Sequence, residues 1–526
     1  MASNDMRSNM FLHPTPSNRN VRSSESPSER FPAHHLVKRR KHKDSKKPLR
    51  IMKFGGTSVG DASCIEQVIT IIRKFSLEND LVVVVSAMSG VTNKLIEAAT
   101  KAESGNLPVA HQMLESMRIQ HYAAADCLIH SVSGRENIKS RFREILAEGQ
   151  HLCQGAMLLR ELNTRVRDAI SGLGERLSAP LVAAALADSG VASASVEASK
   201  IIVTDSYHGS AEPRMELTRE RSESLLRPLL KEGVIPIVTG FIGATEEGVL
   251  TTLGRGGSDY SATILGAVLE ADEVIIWTDV NGVLTADPRQ VPDATTIPEI
   301  SYREASELAY FGAKVLHPKT LRPVIQSEIP VCIRNTFKPE LTGTRITSSA
   351  LPIERGVKAL TAMVDVALIT VGGPGIVGMR DVLGRTFTTT AAVRADVLLI
   401  SQSSSQNDIC FVVPAAIAKQ TAEALRSEFA QDLLHQEVEH ITLDENIAII
   451  AVVGEKMRGI PGLAGRTFSA LGRENVNIIA IAQGSSESNI SFMVERKDTQ
   501  KALSIAHREF ELNVAGFSLT PAVTSL

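Results

Sequence analysis

No stretch of the 526-residue chain stays apolar for the 18 or so residues that a membrane-crossing helix needs; the best candidate, Leu81 to Met88, is far too short. No membrane partner is expected. Cysteine is sparse: Cys64, Cys127, Cys153, Cys332 and Cys410 lie far apart, odd in number and without a C-x-x-C pair. That pattern excludes a disulfide framework and an obvious zinc site, and it fits a reducing compartment. A basic body is missing too. Residues 1–48 hold eleven Lys/Arg against four Asp/Glu, so the net charge of -3 leaves the remainder at -10 and offers no case for nucleic-acid binding.

What is present is an ordinary globular composition, 43% hydrophobic and 22% charged, long enough for about three to five domains. Residues 1–48 read as a disordered basic tail, rich in Ser, Pro, Asn and Arg, with the Lys38 to Lys47 cluster solvated and no secretory signal. The expected location is cytoplasmic. A plastid is the alternative, if the tail is a transit peptide, although Asp5, Glu25 and Glu29 count against that.

Order begins at Leu49. Leu49-Arg-Ile-Met-Lys-Phe runs into Gly-Gly-Thr-Ser, and a helical period follows through Ile65, Val68, Ile69 and Ile72: strand, glycine turn, helix. Leu81 to Ser86 is a continuous β-branched run of the kind buried on both faces of a parallel sheet. The alternation continues through a helical stretch from Glu97 to Glu148 and the apolar runs Ile201 to Val203, Val234 to Val238 and Val274 to Trp277. These predict a doubly wound α/β domain with a mainly parallel sheet, whose ligands sit beyond the carboxyl ends of the strands. After about Thr344 the punctuation changes, and an internal repeat follows. Gly384-Arg-Thr-Phe recurs as Gly465-Arg-Thr-Phe, an offset of 81 residues, and residues 384–413 and 465–494 share 11 of 30 identities. The repeating unit is glycine turn, helix, strand, polar turn, strand, a small α+β module present twice.

The first chemical candidate is Lys53-Phe-Gly-Gly-Thr-Ser. Gly55 and Gly56 let the backbone approach an anion, the amides around Thr57 and Ser58 favour negative charge, and Lys53 adds a cation. It is not a Walker A loop, because the lysine precedes the glycines. The second is Leu253-Gly-Arg-Gly-Gly-Ser-Asp, where Arg255 can clamp a carboxylate and Asp259 can hold an ammonium, a hydroxyl or metal-bound water; both signs together suit a zwitterion. Gly174-Glu-Arg-Leu-Ser adds Glu175 as a further carboxylate. Asp279 closes a strand before the Asn281-Gly282 turn, where it could hold a ribose or adenine edge, with Arg289 on a phosphate. A calcium loop is not supported, since the twelfth position from Asp279 is Gln290. In Phe311-Gly-Ala-Lys-Val-Leu-His-Pro, Lys314 would be a second phosphate cation and His317 a capping or packing residue.

Taken in order, Lys53-Phe-Gly-Gly-Thr-Ser-Val, Val85-Ser-Ala-Met-Ser-Gly-Val-Thr, Gly174-Glu-Arg-Leu-Ser, Phe241, the Gly254-Arg-Gly-Gly-Ser-Asp loop, Thr278-Asp-Val-Asn-Gly and Phe311-Gly-Ala-Lys-Val-Leu-His-Pro resemble aspartate kinase. The resemblance covers about residues 49–340, and the duplicated tail resembles the paired, ferredoxin-like ACT domains that regulate such enzymes. It implies an amino-acid kinase domain at 49–345 and ACT domains at 356–440 and 441–526, with one ACT module inserted in the other. Whether the strand around Val357 to Ala362 pairs with the second repeat stays open. The implied reaction is MgATP-dependent phosphorylation of the side-chain carboxylate of L-aspartate, at the entry to lysine, threonine and methionine synthesis. Lys53 and Lys314 would stabilise the transferring phosphoryl, with Asp259 as a third catalytic residue and Gly55, Gly56, Thr57 and Ser58 around the phosphate. Ser86, Thr92, Glu175, Phe241, Arg255 and Ser258 would surround the aspartate, with Arg255 on the α-carboxylate and Glu175 on the ammonium. Thr278, Asp279 and Arg289 would line the nucleotide. ATP and Mg²⁺ are the implied cofactors, the ion held mainly by the phosphates rather than by a protein metal site.

In the tail, Gln402 and Gln483 each stand at a strand end before a Ser-rich turn. The resemblance to the aspartate kinase region of bifunctional aspartate kinase-homoserine dehydrogenases makes them allosteric candidates, with threonine as the leading effector and lysine next. No dinucleotide-binding G-x-G-x-x-G domain follows, so homoserine dehydrogenase activity is not expected. A homodimer or higher homo-oligomer through the ACT domains is expected. Two competing readings are another kinase of the same fold, acting on a different carboxylate or phosphate, and a catalytically silent amino-acid sensor. The joint presence of Lys53, Arg255, Asp259 and Lys314 argues against the sensor.

Overall fold

The strand β1, Leu49–Phe54, is the centre of the molecule, and its neighbours follow from how its side chains alternate. Ile51 joins an apolar core on one face and Met52 a core on the other, both with no exposed surface. A strand buried on both faces must be paired on both edges, because its amides and carbonyls have no water to turn to. The computed structural model describes residues 47–312, 316–348, 350, 356–373, 381–402, 407–455, 457, 460–483 and 488–513. In it β1 is flanked by the parallel strands β2, Asp80–Val85, and β7, Glu273–Thr278.

The remaining strands of this half are β3 (Ser193–Val196), β4 (Ile235–Thr239), a small hairpin of β5 (Ile242–Ala244) and β6 (Leu250–Thr252), β8 (Glu299–Ser301), β9 (Val331–Asn335) and β10 (Thr344–Thr347). The eight-stranded sheet runs β3-β4-β2-β1-β7-β9-β10-β8; every pairing is parallel except β9 with β10. Helices cover both faces, as a mainly parallel doubly wound sheet requires. The first, Ala62–Ser76, starts where Asp61 accepts from Cys64 N at 2.9 Å and buries Ile65, Val68, Ile69 and Ile72. The long helical stretch is three helices, Val91–Glu103, Leu107–Leu128 and Val132–Leu159. Ile201 to Val203 is buried, but it is not a strand of the sheet; Val203 forms only an isolated bridge to Ala244, and the edge position belongs to Ser193–Val196. Ser-Ala-Ser-Val lacks a continuous apolar run because an edge strand is only half covered.

The rest of the described chain forms two antiparallel sheets. Their strands are β11 (Ala359–Met363), β12 (Val366–Gly372), β13 (Leu399–Gln402), β14 (Asp408–Pro414), β15 (His440–Asp444), β16 (Ile447–Val453), β17 (Ala480–Ala482) and β18 (Asn489–Glu495). One sheet is β13-β14-β12-β15 and the other β11-β16-β18-β17. The boundaries 356–440 and 441–526 therefore do not describe the modules: β11, early in the chain, pairs with β16 of the later sheet, and β15 closes the earlier sheet beside β12. Burial supplies the reason. All seven residues of β16 are buried, so both its edges need hydrogen-bonded partners, which β18 and β11 provide.

The repeated Gly-Arg-Thr-Phe has a packing role. Arg385 Nε donates to Glu428 at 2.8 Å and its NH2 group to the Glu428 carbonyl at 3.0 Å, with the guanidinium 4.4 Å from the Phe429 ring centroid. Arg466 does the same with Glu509 (3.2 and 2.8 Å) and Phe510 (4.9 Å). Phe387 and Phe468 each pack edge-on against a ring of the sheet below, Phe411 and Phe492. Each arginine thus fastens the two helices of its module, which is why the motif survives in both copies.

Candidate active site

The strand order reverses beside β1, with β2 to one side and β7 to the other, and a ligand crevice opens at such a point beyond the carboxyl ends. Lys53 stands there, buried, at the end of β1. Gly55 N donates to Trp277 O of β7 at 3.1 Å, while its carbonyl accepts from Ser58 N at 3.0 Å, so the glycine turn is tied to the sheet at its start and closed on itself. Thr57 is exposed on the turn. The Ser58 hydroxyl is buried and bonded to Thr336 Oγ1 at 2.7 Å, which makes it a fastening of the turn rather than a free phosphate donor.

A cavity of about 280 Å³ is lined by Lys53, Ser86, Thr92, Glu175, Phe241, Gly254, Arg255, Gly256, Gly257, Ser258 and Asp259. These residues come from five separate parts of the chain. Gly254 and Gly256 have φ of +80° and +71°, and a β-carbon on Gly256 would lie 2.9 Å from His317 Cβ, so this loop can be built only with glycine at both places. It leads into the helix Gly257–Val268, whose first turn carries Ser258 and Asp259.

The cavity carries both signs of charge, Lys53 and Arg255 with Glu175 and Asp259. Lys53 Nζ is 2.5 Å from Asp259 Oδ1. Arg255 is exposed at the rim, with its guanidinium available to a carboxylate. Glu175 is 3% exposed at the start of the helix Leu173–Asp188, and its Oε2 has no hydrogen-bond partner. Burial pushes its carboxyl up to about 8, against hydrogen bonds from the Ala87 and Glu175 amides and the nearby charge of Lys53. Glu175 also lines the cavity, which places a buried carboxyl beside it. Phe241 holds φ at +69°, a strained value for a bulky residue, fixed by Ser261 Oγ accepting its N–H at 3.0 Å and by Leu253 N donating to its carbonyl at 2.9 Å.

Thr278 and Asp279 leave β7 directly after the carbonyl that holds Gly55, so the expected nucleotide side begins beside the glycine turn. Arg289 is not brought into the cavity. Its guanidinium is 70% exposed and paired with Asp287, and the flanking Ala286 and Val291 belong to the core of the second antiparallel sheet. Lys314 lies outside the described residues. His317 caps Pro318–Ile325 through Lys319 N at 3.3 Å; burial first, then Arg255, Lys319 and Arg322, lower its pKa. Gln402 and Gln483 are exposed at the ends of β13 and β17, strands in contact across the two sheets.

Sequence reading missed Asp168. It is 2% exposed and accepts from His208 Nδ1 (2.8 Å), Gly209 N (3.0 Å), Thr252 N (3.2 Å) and Thr252 Oγ1 (2.5 Å). One carboxylate thus binds the 208–209 turn to the strand that runs into Gly254 and Arg255. Nothing local marks it, since Arg-Val-Arg-Asp reads as an exposed helix and all its partners are distant in sequence.

A glycine turn at the switch point of a mainly parallel sheet, a second glycine loop and two antiparallel α+β modules define the class: an amino-acid kinase fold with ACT domains. The amino acid kinase family profile matches residues 48–335, and the ACT domain profile matches 369–429 and 450–510. The chain belongs to the amino acid kinase family, among the aspartokinases. It is 35% identical over 471 residues to bifunctional aspartokinase/homoserine dehydrogenase 1, chloroplastic, of Arabidopsis thaliana, covering 88% of this chain and 51% of that one. With aspartokinase 1, chloroplastic, of the same plant it is 32% identical, covering 88% and 80%. Among solved structures, E. coli aspartokinase III in complex with aspartate and ADP (R-state) matches with a TM-score of 0.72 at 31% identity, covering 88% of this chain and 99% of that one. The chain spans about half the length of the bifunctional relatives it matches.

Proposed function

We propose that this protein transfers the γ-phosphoryl group of MgATP to the side-chain carboxylate of L-aspartate, giving 4-phospho-L-aspartate, the first step toward lysine, threonine and methionine. The observation that carries the reading is the cavity, which gathers one buried lysine, one rim arginine and one buried carboxyl with an unpartnered oxygen within a volume suited to a small zwitterion. Arg255 would take the α-carboxylate in a fork and Glu175 the ammonium, which leaves the side-chain carboxylate directed toward Lys53. A carboxylate is already a nucleophile at neutral pH, so no strong base is required; alignment and charge cancellation remain. Lys53 supplies the charge, and Asp259 orients its ammonium. The amides of Gly56 and Thr57 would face the phosphates, with Thr278 and Asp279 along the nucleotide. Magnesium arrives as part of MgATP, held by the phosphate oxygens, and lowers their charge.

Regulation is assigned to the ACT pair, with threonine as the favoured effector and lysine as the competing one, at the strand ends marked by Gln402 and Gln483. The E. coli aspartokinase III structure in complex with lysine and aspartate (T-state), 30% identical, supports an amino-acid effector of this kind. A homo-oligomer through the ACT sheets is supported by their edge strands β13 and β17, which expose Ile400 and Ile481.

Trapping the acyl phosphate as a hydroxamate while following ADP release tests the reading. Turnover with L-aspartate and none with L-glutamate is expected. No turnover with any acceptor, with amino-acid binding retained, would replace the kinase by a sensor.

A further inference from the structure

One buried carboxylate of the kinase half holds the regulatory half in place. Glu304 lies in the first turn of the helix Tyr302–Tyr310, where Ser301 N donates to its Oε2 at 2.9 Å, completing a capping box with the Ser301 hydroxyl. Lys358 Nζ donates to the same oxygen at 2.8 Å, and Glu455 N donates to Oε1 at 2.9 Å. Lys358 stands just before β11 and Glu455 just after β16, and these ends are adjacent, since Ala359 pairs with Val453. Glu304 therefore grips the end of the second ACT sheet with both oxygens.

The ion pair is nearly dry, with side-chain exposures of 5% for Lys358 and 2% for Glu304. Adhesion alone does not explain it, because a packed apolar pair holds two surfaces together as well without the desolvation cost. A carboxylate with three donors from three segments admits one placement, so what it adds is register. β11 also holds the far end of the same helix, where Thr361 Oγ1 donates to the Phe311 carbonyl at 3.1 Å. The regulatory strand thus clamps Tyr302–Tyr310 at both ends.

From that helix the packing leads to the cavity. Tyr302–Tyr310 packs on Pro318–Ile325, which packs on Gly257–Val268, the helix bearing Ser258 and Asp259. His317, at the head of the middle helix, leaves Gly256 no room for a β-carbon. We propose that the Glu304–Lys358 ion pair is the positioning element through which the ACT pair sets the placement of Gly256, Ser258 and Asp259, and with Asp259 the aim of Lys53. The proposal rests on the kinase reading above. Neither residue touches substrate; both act through the helices between.

The test uses the full chain and three variants: Lys358→Met, Glu304→Gln, and Glu304→Gln/Lys358→Met. Steady-state kinetics for aspartate and MgATP are measured alongside hydrogen exchange of the segments 302–312 and 257–268. Lys358→Met is expected to raise exchange in both helices and to lower kcat/KM for aspartate about tenfold or more. The double variant, with no bare buried charge, is expected to recover the melting temperature but not kcat/KM, which separates register from stability; with Glu304→Gln it also serves if Lys358→Met does not fold. Wild-type exchange and wild-type kcat/KM in any folded variant would overturn the proposal. So would a double variant that recovers kcat/KM together with its melting temperature. A wild-type chain without turnover on aspartate would instead overturn the kinase reading, and the exchange comparison would still decide whether the ion pair couples the helices.

Discussion

Lys53 Nζ lies 2.5 Å from Asp259 Oδ1, a contact that ties the end of the central strand to the first turn of the helix after the second glycine loop. On the proposed reading, Asp259 aims the ammonium and offsets part of its charge until the more negative transferring group competes for it.

Lys53→Met is expected to lower kcat about 100-fold or more, and Asp259→Asn about tenfold, with smaller changes in KM. Because Asp259 acts through Lys53, the double variant should be no slower than Lys53→Met alone. Kinetics of all four proteins decide this; additive losses would show that Asp259 has a separate task.

Glu175 predicts a pH dependence. Its carboxyl, raised to about 8 chiefly by burial, is neutral in the free protein below that pH. Holding an ammonium requires the carboxylate, so below about 8 each aspartate bound must expel a proton. Aspartate KM should therefore fall about tenfold per pH unit as pH rises toward 8, then level off, and Glu175→Gln should remove the slope. For folding the sign is opposite. The native state binds this proton more tightly than the unfolded chain, so the group's contribution declines as pH rises from the ordinary 4.5 through 8. KM profiles and denaturant midpoints across the same range test both signs.

Arg255→Lys keeps the charge and loses the fork. Aspartate KM is expected to rise about ten- to hundredfold with kcat changed less, since the α-carboxylate does not react. An equal fall in kcat with KM unchanged would place Arg255 at the phosphoryl group instead.

The arginines of the repeated motif belong to stability. Arg385→Ala should cost about 1–2 kcal/mol, through its hydrogen bonds to Glu428 and its contact with Phe429. Arg466→Ala should cost less, because that side chain is 48% exposed against 28%. Urea unfolding of each variant gives the comparison, and a larger loss at Arg466 would contradict it.

Legibility followed locality. Lys53, Glu175, Arg255 and Asp259 announce themselves because charged residues on glycine turns are local signals, whereas Ser86, Thr92, Phe241 and Ser258 carry no such signal and follow only from the motif resemblance; the cavity holds all eight. Asp168 and Glu304 gave no such signal, since a buried carboxylate is defined by donors such as Thr252, His208, Lys358 and Glu455 that only the fold brings near. Ser193–Val196 escaped because a half-covered edge strand has no apolar run, and the pairing of Arg289 with Asp287 is not marked in the sequence. The repeat revealed two modules, but not that β11, ahead of the first, belongs to the sheet of the second.

That insertion of one sheet between the strands of the other limits how the regulatory half can be cut. Ending the chain between the repeats would leave β11 facing water along the edge that β16 had covered, while transplanting the later repeat alone would carry β16 away from its partner and leave β15 behind. The module built on β16 is not a cassette. Recombination, whether in evolution or at the bench, has to keep β11 together with β16 to β18, and a chimera joined anywhere between β11 and β16 leaves the later sheet unfinished.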